Sequence, residues 1–183
     1  MLDMSQDFRL FMIGPMGSGK STVGRVLANL LGCSFVDSDA EIEVRCGADI
    51  PWIFDVEGEV GFRRREATVL SELAKRSRVV IATGGGAVTT AGNCELMSEK
   101  GIVVYLDVSI EQQLKRTGSG EGRPLLAQGD REATLQKLMM ERKPLYEELA
   151  DMIISASSGN ARKVARHIQE QLSARSLLPP VTD

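Results

Sequence analysis

The chain has 183 residues, which is enough for one domain with a substantial core and too few for two full domains. Hydrophobic residues make up 43% of it and charged residues 26%, values typical of soluble globular proteins that argue against a disordered or fibrous chain. The formal net charge is −3 and no segment clusters five or more lysines and arginines, so we expect no nucleic-acid partner.

Cysteine usage and the N-terminal segment favour a cytoplasmic protein. The cysteines are far apart and never form a C-x-x-C pair, which fits neither a disulfide framework nor a zinc site. The start of the chain is acidic, and the apolar run Leu10 to Ile13 is too short for a signal peptide or a membrane span. We therefore expect no targeting segment and no membrane partner.

A glycine-rich loop follows the first predicted strand, Arg9 to Ile13, and precedes a helix predicted over Lys20 to Leu31. The loop, GPMGSGKS, matches G-x-x-x-x-G-K-[ST], in which backbone N–H groups surround phosphates. Lys20 would reach the β- and γ-phosphates of ATP, and the Ser21 hydroxyl would ligate Mg²⁺. A chance glycine turn is the alternative, and the flanking strand and helix argue against it. The residues assigned to nucleotide binding here are Gly17, Ser18, Gly19, Lys20, Ser21 and Thr22.

The second predicted strand, Ser34 to Val36, is followed by two aspartates, Asp37 and Asp39. Residues at alternate strand positions point the same way, and open α/β sheets bind ligands at the carboxyl ends of their strands. Phosphoryl transfer needs one acidic group to hold Mg²⁺ through water and another to orient or deprotonate the accepting hydroxyl. The two aspartates are the candidates, although Ser38 or Asp39 could also cap the helix predicted over Asp39 to Cys46.

Two charged residues interrupt the apolar face of the helix predicted over Gly58 to Arg76. Arg63 and Glu66 fall within that face on a helical wheel, where a charge must be paired. Either they form a simple i,i+3 ion pair, or Glu66 holds Arg63 in position to bind an anionic substrate. The wheel leaves both interpretations open. The apolar side chains of this face are Val60, Phe62, Ala67, Val69, Leu70, Leu73 and Ala74.

The third predicted strand, Arg78 to Ala82, is followed by a threonine and three consecutive glycines. A turn that needs positive φ is the usual reason for a glycine. Three in succession exceed what a turn needs, so we expect Gly84, Gly85 and Gly86 to let the backbone approach a ligand closely.

A second glycine-rich segment lies between Arg116 and Arg123, after a helix predicted over Ile110 to Thr117. It could be an ordinary surface linker. Because a phosphate-binding loop exists elsewhere in the chain, we interpret residues of about 116–127 as a short mobile lid that brings cations over the phosphates.

The C-terminal part of the chain supplies another inward-facing arginine. Arg142 occupies the missing place in a stripe of leucines on the helix predicted over Arg131 to Ala150, although Pro144 is expected to kink or restart that helix. The lone histidine, His167, lies among polar residues and is expected at the surface, which argues against imidazole or zinc chemistry. The tail, about residues 176–183, is expected to be frayed.

The alternation of strands and helices predicts an α/β fold in a single domain over residues 1–183. Two further strands are predicted at Ile102 to Leu106 and Met152 to Ser155, and two further helices at Gly92 to Lys100 and Ala161 to Ala174. Five strands separated by helices give a mainly parallel sheet with helices on both faces.

Taken together, these segments resemble the shikimate kinase family over nearly the whole chain, from about Phe8 to Leu172. The phosphate-binding loop alone indicates only a superfamily, whereas D-x-D, G-F-R-x-x-E and the triple glycine at these separations are far more specific. The matching segments are GPMGSGKSTVGR, FVDSDAEIE, GADIPWIFDVEGEVGFRRRE, ATGGGAV, VVYLD, RTG followed by RPLL, and ERKPLYEELAD.

The resemblance implies a monomer with a fold like that of nucleoside monophosphate kinases. It implies transfer of the ATP γ-phosphoryl group to the 3-hydroxyl of shikimate, a step in chorismate and aromatic amino acid biosynthesis. By family role, Asp39 contacts the accepting hydroxyl and Asp37 holds Mg²⁺ through water. Arg116 stacks on adenine, and Arg123 closes with the lid onto the transferring phosphate. Asp39, Lys20 and Arg123 are the catalytic candidates.

The same resemblance implies an acceptor site. Arg63 and Arg142 bind the shikimate carboxylate, with Glu66 steadying Arg63, and Gly84 to Gly86 line the sugar-like ring. In the loop from Ser157 to Asn160, where the family contacts adenine, this sequence has no diagnostic residue.

Three other functions compete with this interpretation. A kinase for gluconate or a nucleoside monophosphate would share the loop, Mg²⁺ and the lid, but would not be expected to combine D-x-D, the triple glycine and G-F-R-x-x-E at this spacing. A GTPase switch would need a guanine-reading N-K-x-D, which the sequence lacks. A non-catalytic kinase-like module would be expected to have lost Lys20, Asp39 or Arg123, and all three are present.

Overall fold

A five-stranded sheet organises the molecule, for which a computed structural model describes residues 7–118, 129–157 and 159–179. All neighbouring strands pair in parallel, in the order β2-β3-β1-β4-β5. Strand β3 is buried at every position, as expected of an inner strand covered on both faces. The strands are β1 Arg9–Ile13, β2 Ser34–Asp37, β3 Val79–Ala82, β4 Ile102–Asp107 and β5 Met152–Ser155.

Helices cover both faces of this sheet. Alternate residues of β1 point to opposite sides: Leu10 and Met12 join one apolar cluster, and Phe11 and Ile13 join the other. The predicted α/β fold with a five-stranded parallel sheet is therefore confirmed, whereas a single domain over residues 1–183 stays a prediction. The helices are α1 Lys20–Leu31, α2 Ser38–Cys46, α3 Ile50–Leu73, α4 Ala91–Lys100, α5 Ile110–Thr117, α6 Arg131–Leu149 and α7 Ala161–Ala174, with a 3₁₀ turn at Ala87–Thr89.

The strand register brings three loops to one edge of the sheet. Asp37 pairs with Ala82 across β2 and β3, and Met12 pairs with the same Ala82 across β1 and β3. The residues that follow these positions therefore leave the sheet side by side at its carboxyl edge. This edge is where open α/β sheets bind ligands.

The largest error of the sequence prediction concerns the start of α3. This helix begins at Ile50, not at Gly58, because the Asp49 side chain caps it by accepting a hydrogen bond of 2.9 Å from the Trp52 amide. Gly58 lies inside the helix with φ of 68°, where it joins two helical stretches across a kink. The kink changes which side chains of the helix face the core. It explains why Val60, predicted on the apolar side, is 74% exposed.

Other boundaries differ less from the prediction. Helix α6 runs through Pro144 as one element, whereas α5 spans Ile110–Thr117 as predicted, so the first two residues of the predicted lid are helical. Residues 119–128, which include Arg123 and the rest of the lid, lie outside the described part of the chain.

The predicted frayed tail is only partly covered by the structure. The Leu177 amide donates a hydrogen bond of 2.9 Å to the Leu172 carbonyl of α7, and Pro179 is buried. The tail is therefore hydrogen-bonded to the end of α7 at its start, while residues 180–183 lie outside the described ranges. Within those ranges, no helix has the length and apolar character needed to cross a membrane.

Candidate active site

The loop between β1 and α1 forms a compact turn around a lysine. Gly14, Gly17 and Gly19 have φ of 141°, 76° and 92°, a backbone conformation that side chains disfavour. Lys20 is buried, and its Nζ donates hydrogen bonds of 2.8 and 2.9 Å to the carbonyls of Gly14 and Pro15. The loop thus holds its cation at the N-terminus of α1, where backbone N–H groups favour an anion.

The carboxylate of Asp37 links this loop to the start of α2. Its Oδ1 accepts hydrogen bonds from the amides of Asp39 at 3.0 Å and Ala40 at 3.3 Å, so Asp37 caps the helix. The alternative interpretation, in which Ser38 or Asp39 supplies the cap, is therefore wrong. The other oxygen, Oδ2, accepts a hydrogen bond from the Ser21 hydroxyl. The two predicted Mg²⁺-binding residues are therefore in direct contact, and they supply the oxygen ligands that Mg²⁺ prefers.

Asp39, the second residue of α2, has a carboxyl with a raised pKa. Burial, followed by the negative charges of Glu66 and Asp37, raises the pKa of Asp39 to about 7, against the opposing charges of Lys20 and Arg63. Its Oδ1 is buried without a hydrogen-bond partner among the described residues. A carboxyl with a pKa near the working pH suits proton transfer from a hydroxyl.

An ion pair on α3 holds the predicted substrate arginine. Arg63 donates from Nη1 to Glu66 at 2.9 Å and from Nη2 to Glu59 at 3.0 Å. Glu66 is fully buried, and its pKa is raised chiefly by that burial, while Arg63 acts in the opposite direction. The predicted pair is confirmed, whereas the contact with Glu59, four residues before Arg63 on the same helix, was not predicted.

The three consecutive glycines are explained by close approach and not by turn geometry. None of them has positive φ. A Cβ on Gly84 would lie 2.6 Å from Glu66 Oε1 and 2.7 Å from Asp39 Oδ1. A Cβ on Gly86 would collide with the guanidinium group of Arg63. Side chains at Gly84 and Gly86 would displace these charged groups, so close approach of protein side chains accounts for both glycines, while the expected approach of a ligand stays a prediction.

Arg142 faces inward from α6, as the leucine stripe predicted. It is buried, and its positive charge lowers the pKa of Glu66, which places the guanidinium near the Arg63 pair. In both Arg63 and Arg142 the Nε atom is buried and has no hydrogen-bond partner among the residues that the structure describes. Two cations with unused donors therefore lie around one buried carboxylate.

A cavity of about 420 Å³ joins the phosphate-binding loop to the carboxyl edge of the sheet. It brings the loop, both aspartates and Arg116 together, whereas Arg63, Glu66 and Arg142 do not line it. Arg63 and Glu66 lie against Gly86 and Gly84, the neighbours of the lining residue Gly85. Met16 and Thr83 also line it and were missed by the sequence prediction. The lining residues are Met16, Gly17, Gly19, Lys20, Ser21, Thr22, Asp37, Asp39, Thr83, Gly85 and Arg116.

A smaller cavity of about 150 Å³ lies between α1 and the start of α7. Arg116 lines both cavities and donates hydrogen bonds to the carbonyls of Gly17 at 3.2 Å and Ala156 at 2.8 Å. Gly159 and Asn160, from the loop without a diagnostic residue, contribute to its wall. Residue type alone could not indicate this role, because these positions provide backbone and shape.

Comparison with known proteins supports one family. The family model described as shikimate kinase matches residues 16–173, most of the chain. A shikimate kinase of Halorhodospira halophila is 58% identical over 167 residues, covering 91% of this chain and 94% of that protein. A shikimate kinase of Hahella chejuensis is 54% identical over 163 residues, covering 89% of this chain and 85% of that protein.

Solved structures agree with this result. A shikimate kinase from Acinetobacter baumannii in complex with shikimate superposes with a TM-score of 0.92 at 49% identity, covering 95% of this chain and 97% of that one. A gluconokinase from Sinorhizobium meliloti 1021 reaches a TM-score of only 0.54 at 17% identity and shares the fold alone. The chain therefore belongs to the shikimate kinase family.

Proposed function

We propose that this chain transfers the γ-phosphoryl group of ATP to the 3-hydroxyl of shikimate, giving shikimate 3-phosphate and ADP. One observation carries the proposal: the carboxyl of Asp39, with its raised pKa, lies in the same cavity as Lys20 and the phosphate-binding loop. Next to Gly84, a carboxylate oxygen of Asp39 lies close to one of Glu66, which is paired with Arg63. This arrangement suits an acceptor that carries both a hydroxyl and a carboxylate.

On the donor side, the phosphates of ATP would lie on the loop at the N-terminus of α1. The amides of Gly17 to Thr22 would surround them, and Lys20 would exchange its carbonyl partners for phosphate oxygens. Ser21 and Asp37 would hold Mg²⁺, which supplies charge neutralisation on the β- and γ-phosphates. Asp37 would act through a water molecule.

On the acceptor side, Arg63 and Arg142 would bind the carboxylate of shikimate with their unused donors. Glu66 would hold Arg63 in place, and Gly84 to Gly86 would allow the ring to approach the backbone. The ring would then present its 3-hydroxyl to Asp39, which accepts the proton as the phosphoryl group arrives. Each of these groups would act by position and charge, as phosphoryl transfer requires.

Four further assignments belong to the same proposal. Arg116, between the two cavities, would stack on the adenine. Arg123, outside the described residues, would close with the lid onto the transferring phosphate. We also propose that the protein is a monomer and works in the cytoplasm.

A transfer assay across four acceptors tests the proposed function. The purified protein is incubated with ATP and Mg²⁺ and with shikimate, gluconate, AMP or CMP, and ADP is measured. We expect ADP only with shikimate, and ³¹P NMR should place the product phosphate on the 3-hydroxyl. Transfer to gluconate or to a nucleotide would favour the related kinases. ATP binding without transfer to any acceptor would favour a non-catalytic module.

A further inference from the structure

A tyrosine on α6 contacts the middle of the glycine run. Tyr146 is fully buried, and its hydroxyl donates a hydrogen bond to the carbonyl of Gly85 across 61 residues of sequence. Its ring stacks on Tyr105 of β4, with ring centroids 5.0 Å apart and an angle of 25° between the planes. The stack fixes the ring and the hydrogen bond fixes the carbonyl, so Gly85 is tied to the core.

The position of Gly85 matters because of its neighbours in the run. The hydrogen atoms of Gly84 face the carboxylates of Asp39 and Glu66, and Gly86 lies against Arg63. A Cβ on Gly85 itself would lie 3.4 Å from the amide nitrogen of Met16 in the phosphate-binding loop. The carbonyl held by Tyr146 therefore belongs to the segment that separates the donor loop from the acceptor groups.

The same helix also carries Arg142, one turn before Tyr146. Burial raises the pKa of Tyr146 to about 12, with the charge of Arg142 acting in the opposite direction. The hydroxyl therefore stays protonated at neutral pH and remains a donor to Gly85. Movement of α6 would displace the arginine and the glycine run together, since both depend on this turn of the helix.

We propose that Tyr146 is a positioning residue for the acceptor site: its hydroxyl sets the distance between the glycine run and the groups that bind the acceptor. It does not touch the acceptor. This inference rests on the proposed function, and it assigns to an aromatic side chain a role in acceptor binding that is separate from nucleotide binding.

The substitution Tyr146→Phe tests the proposal because it keeps the stacked ring and removes only the hydroxyl. We expect the KM for shikimate to rise about tenfold, since a buried carbonyl loses its donor, while the KM for ATP changes by less than about twofold. Tyr105→Phe is the matched control: it removes the hydroxyl of the other stacked ring, which donates to Asp107 at 2.9 Å. In that variant the KM for shikimate should stay within about twofold of the starting value.

A binding measurement without ATP provides a second test. The chain has two tyrosines, so in the Tyr105→Phe background 3-fluorotyrosine gives a single ¹⁹F signal, from position 146. Saturating shikimate should shift this signal, and ADP with Mg²⁺ should leave it in place. Thermal unfolding of each variant confirms that it is folded.

The outcomes separate this inference from the proposed function. If the unaltered protein does not phosphorylate shikimate, the proposed function fails. If it does, the positioning role is overturned by any of three results. In Tyr146→Phe, the KM for shikimate could be unchanged, or the KM values for shikimate and ATP could rise equally. Alternatively, Tyr105→Phe could raise the KM for shikimate as much as Tyr146→Phe does. A ¹⁹F signal that saturating shikimate does not move would also overturn it.

Discussion

Asp39 and Glu66 direct one carboxylate oxygen each at the same glycine. A Cβ on Gly84 would lie 2.7 Å from Asp39 Oδ1 and 2.6 Å from Glu66 Oε1. Neither oxygen has a hydrogen-bond partner among the described residues. The charge of Glu66 is the second cause, after burial, of the raised pKa of Asp39. Glu66, which holds Arg63, thus also raises the pKa of Asp39, the carboxyl that would accept the proton.

This relationship predicts the pH dependence of the reaction. Asp39 must be ionised to accept a proton, and its pKa is about 7, so kcat/KM for shikimate should rise with pH through about 7 and then level off. Glu66→Gln removes one of the charges that raise the pKa of Asp39. In this variant kcat/KM should therefore begin to rise at lower pH. A profile of kcat/KM between pH 5 and 9 checks both. A flat profile from pH 5.5 to 8 would contradict the role of Asp39.

Replacing the carboxyl itself should stop turnover. Asp39→Asn keeps the shape of the side chain but cannot accept a proton, so kcat should fall at least about 100-fold. ATP affinity, measured by titration calorimetry, should be nearly unchanged because the loop and Lys20 are intact. Near-normal turnover by this variant would remove Asp39 from the mechanism.

The same variant should be more stable than the unaltered protein, but only at higher pH. The pKa of Asp39 is about 7 in the folded chain, above the value of 3.8 expected when unfolded. Below pH 4 both states hold the proton, and between pH 4 and 7 the unfolded state loses it first, so folding is weakened and stays so above pH 7.

Asparagine at position 39 does not ionise, so the variant does not lose folding stability as the pH rises. At pH 8 we expect Asp39→Asn to gain up to about 4 kcal/mol in the free energy of unfolding, or roughly 10 °C in Tm. The gain should shrink toward pH 4. Urea unfolding at both pH values tests this, and a gain that is independent of pH would argue against a raised pKa.

Two substitutions around Arg63 should change shikimate affinity in opposite directions. Arg63→Ala removes charged hydrogen bonds to the substrate and should weaken binding about 10- to 100-fold without affecting ATP. Glu59→Gln removes a competitor that is 52% exposed and should strengthen binding by about twofold. Calorimetric titration with shikimate measures both. If Arg63→Ala binds shikimate normally, the pair with Glu66 is structural only.

Mg²⁺ should be required for turnover. Ser21 and Asp37 form one hydrogen-bonded unit beside the phosphate-binding loop, and we expect EDTA to abolish ADP formation and added Mg²⁺ to restore it. Ser21→Ala should raise the Mg²⁺ concentration needed for half-maximal rate, with the fold unchanged by circular dichroism. Full activity after chelation would refute the metal assignment.

A methyl group on the glycine run should damage the acceptor site. Gly84→Ala would push against two buried carboxylates and should lower kcat/KM for shikimate at least about tenfold. Gly92→Ala is the matched control, because Gly92 lies on α4 with no atom within 4 Å of an added Cβ. That variant should keep its activity and gain about 0.5–1 kcal/mol in stability. Equal activity in the two variants would contradict the close-approach argument.

Local pattern was enough to predict the sheet, the phosphate-binding loop and the inward-facing arginines. Short apolar runs indicate the strands, and the helical period of 3.6 residues places Arg63 and Arg142 on buried helix faces. The same periodicity failed at Val60, because it assumes a straight helix and Gly58 introduces a kink. Roles carried over by family resemblance, such as those of Arg116 and Arg123, stay predictions.

Contacts between distant parts of the chain were decided only by the tertiary structure. The sequence determined which residues carry charge and which faces are apolar, because these depend on neighbours a few positions away. It could not show that Asp37 caps α2 while accepting from Ser21, or that Tyr146 holds Gly85 across 61 residues. Such contacts depend on the order of the strands in the sheet and on how the helices pack across it. The hydrophobic periodicity of a sequence segment does not predict that order.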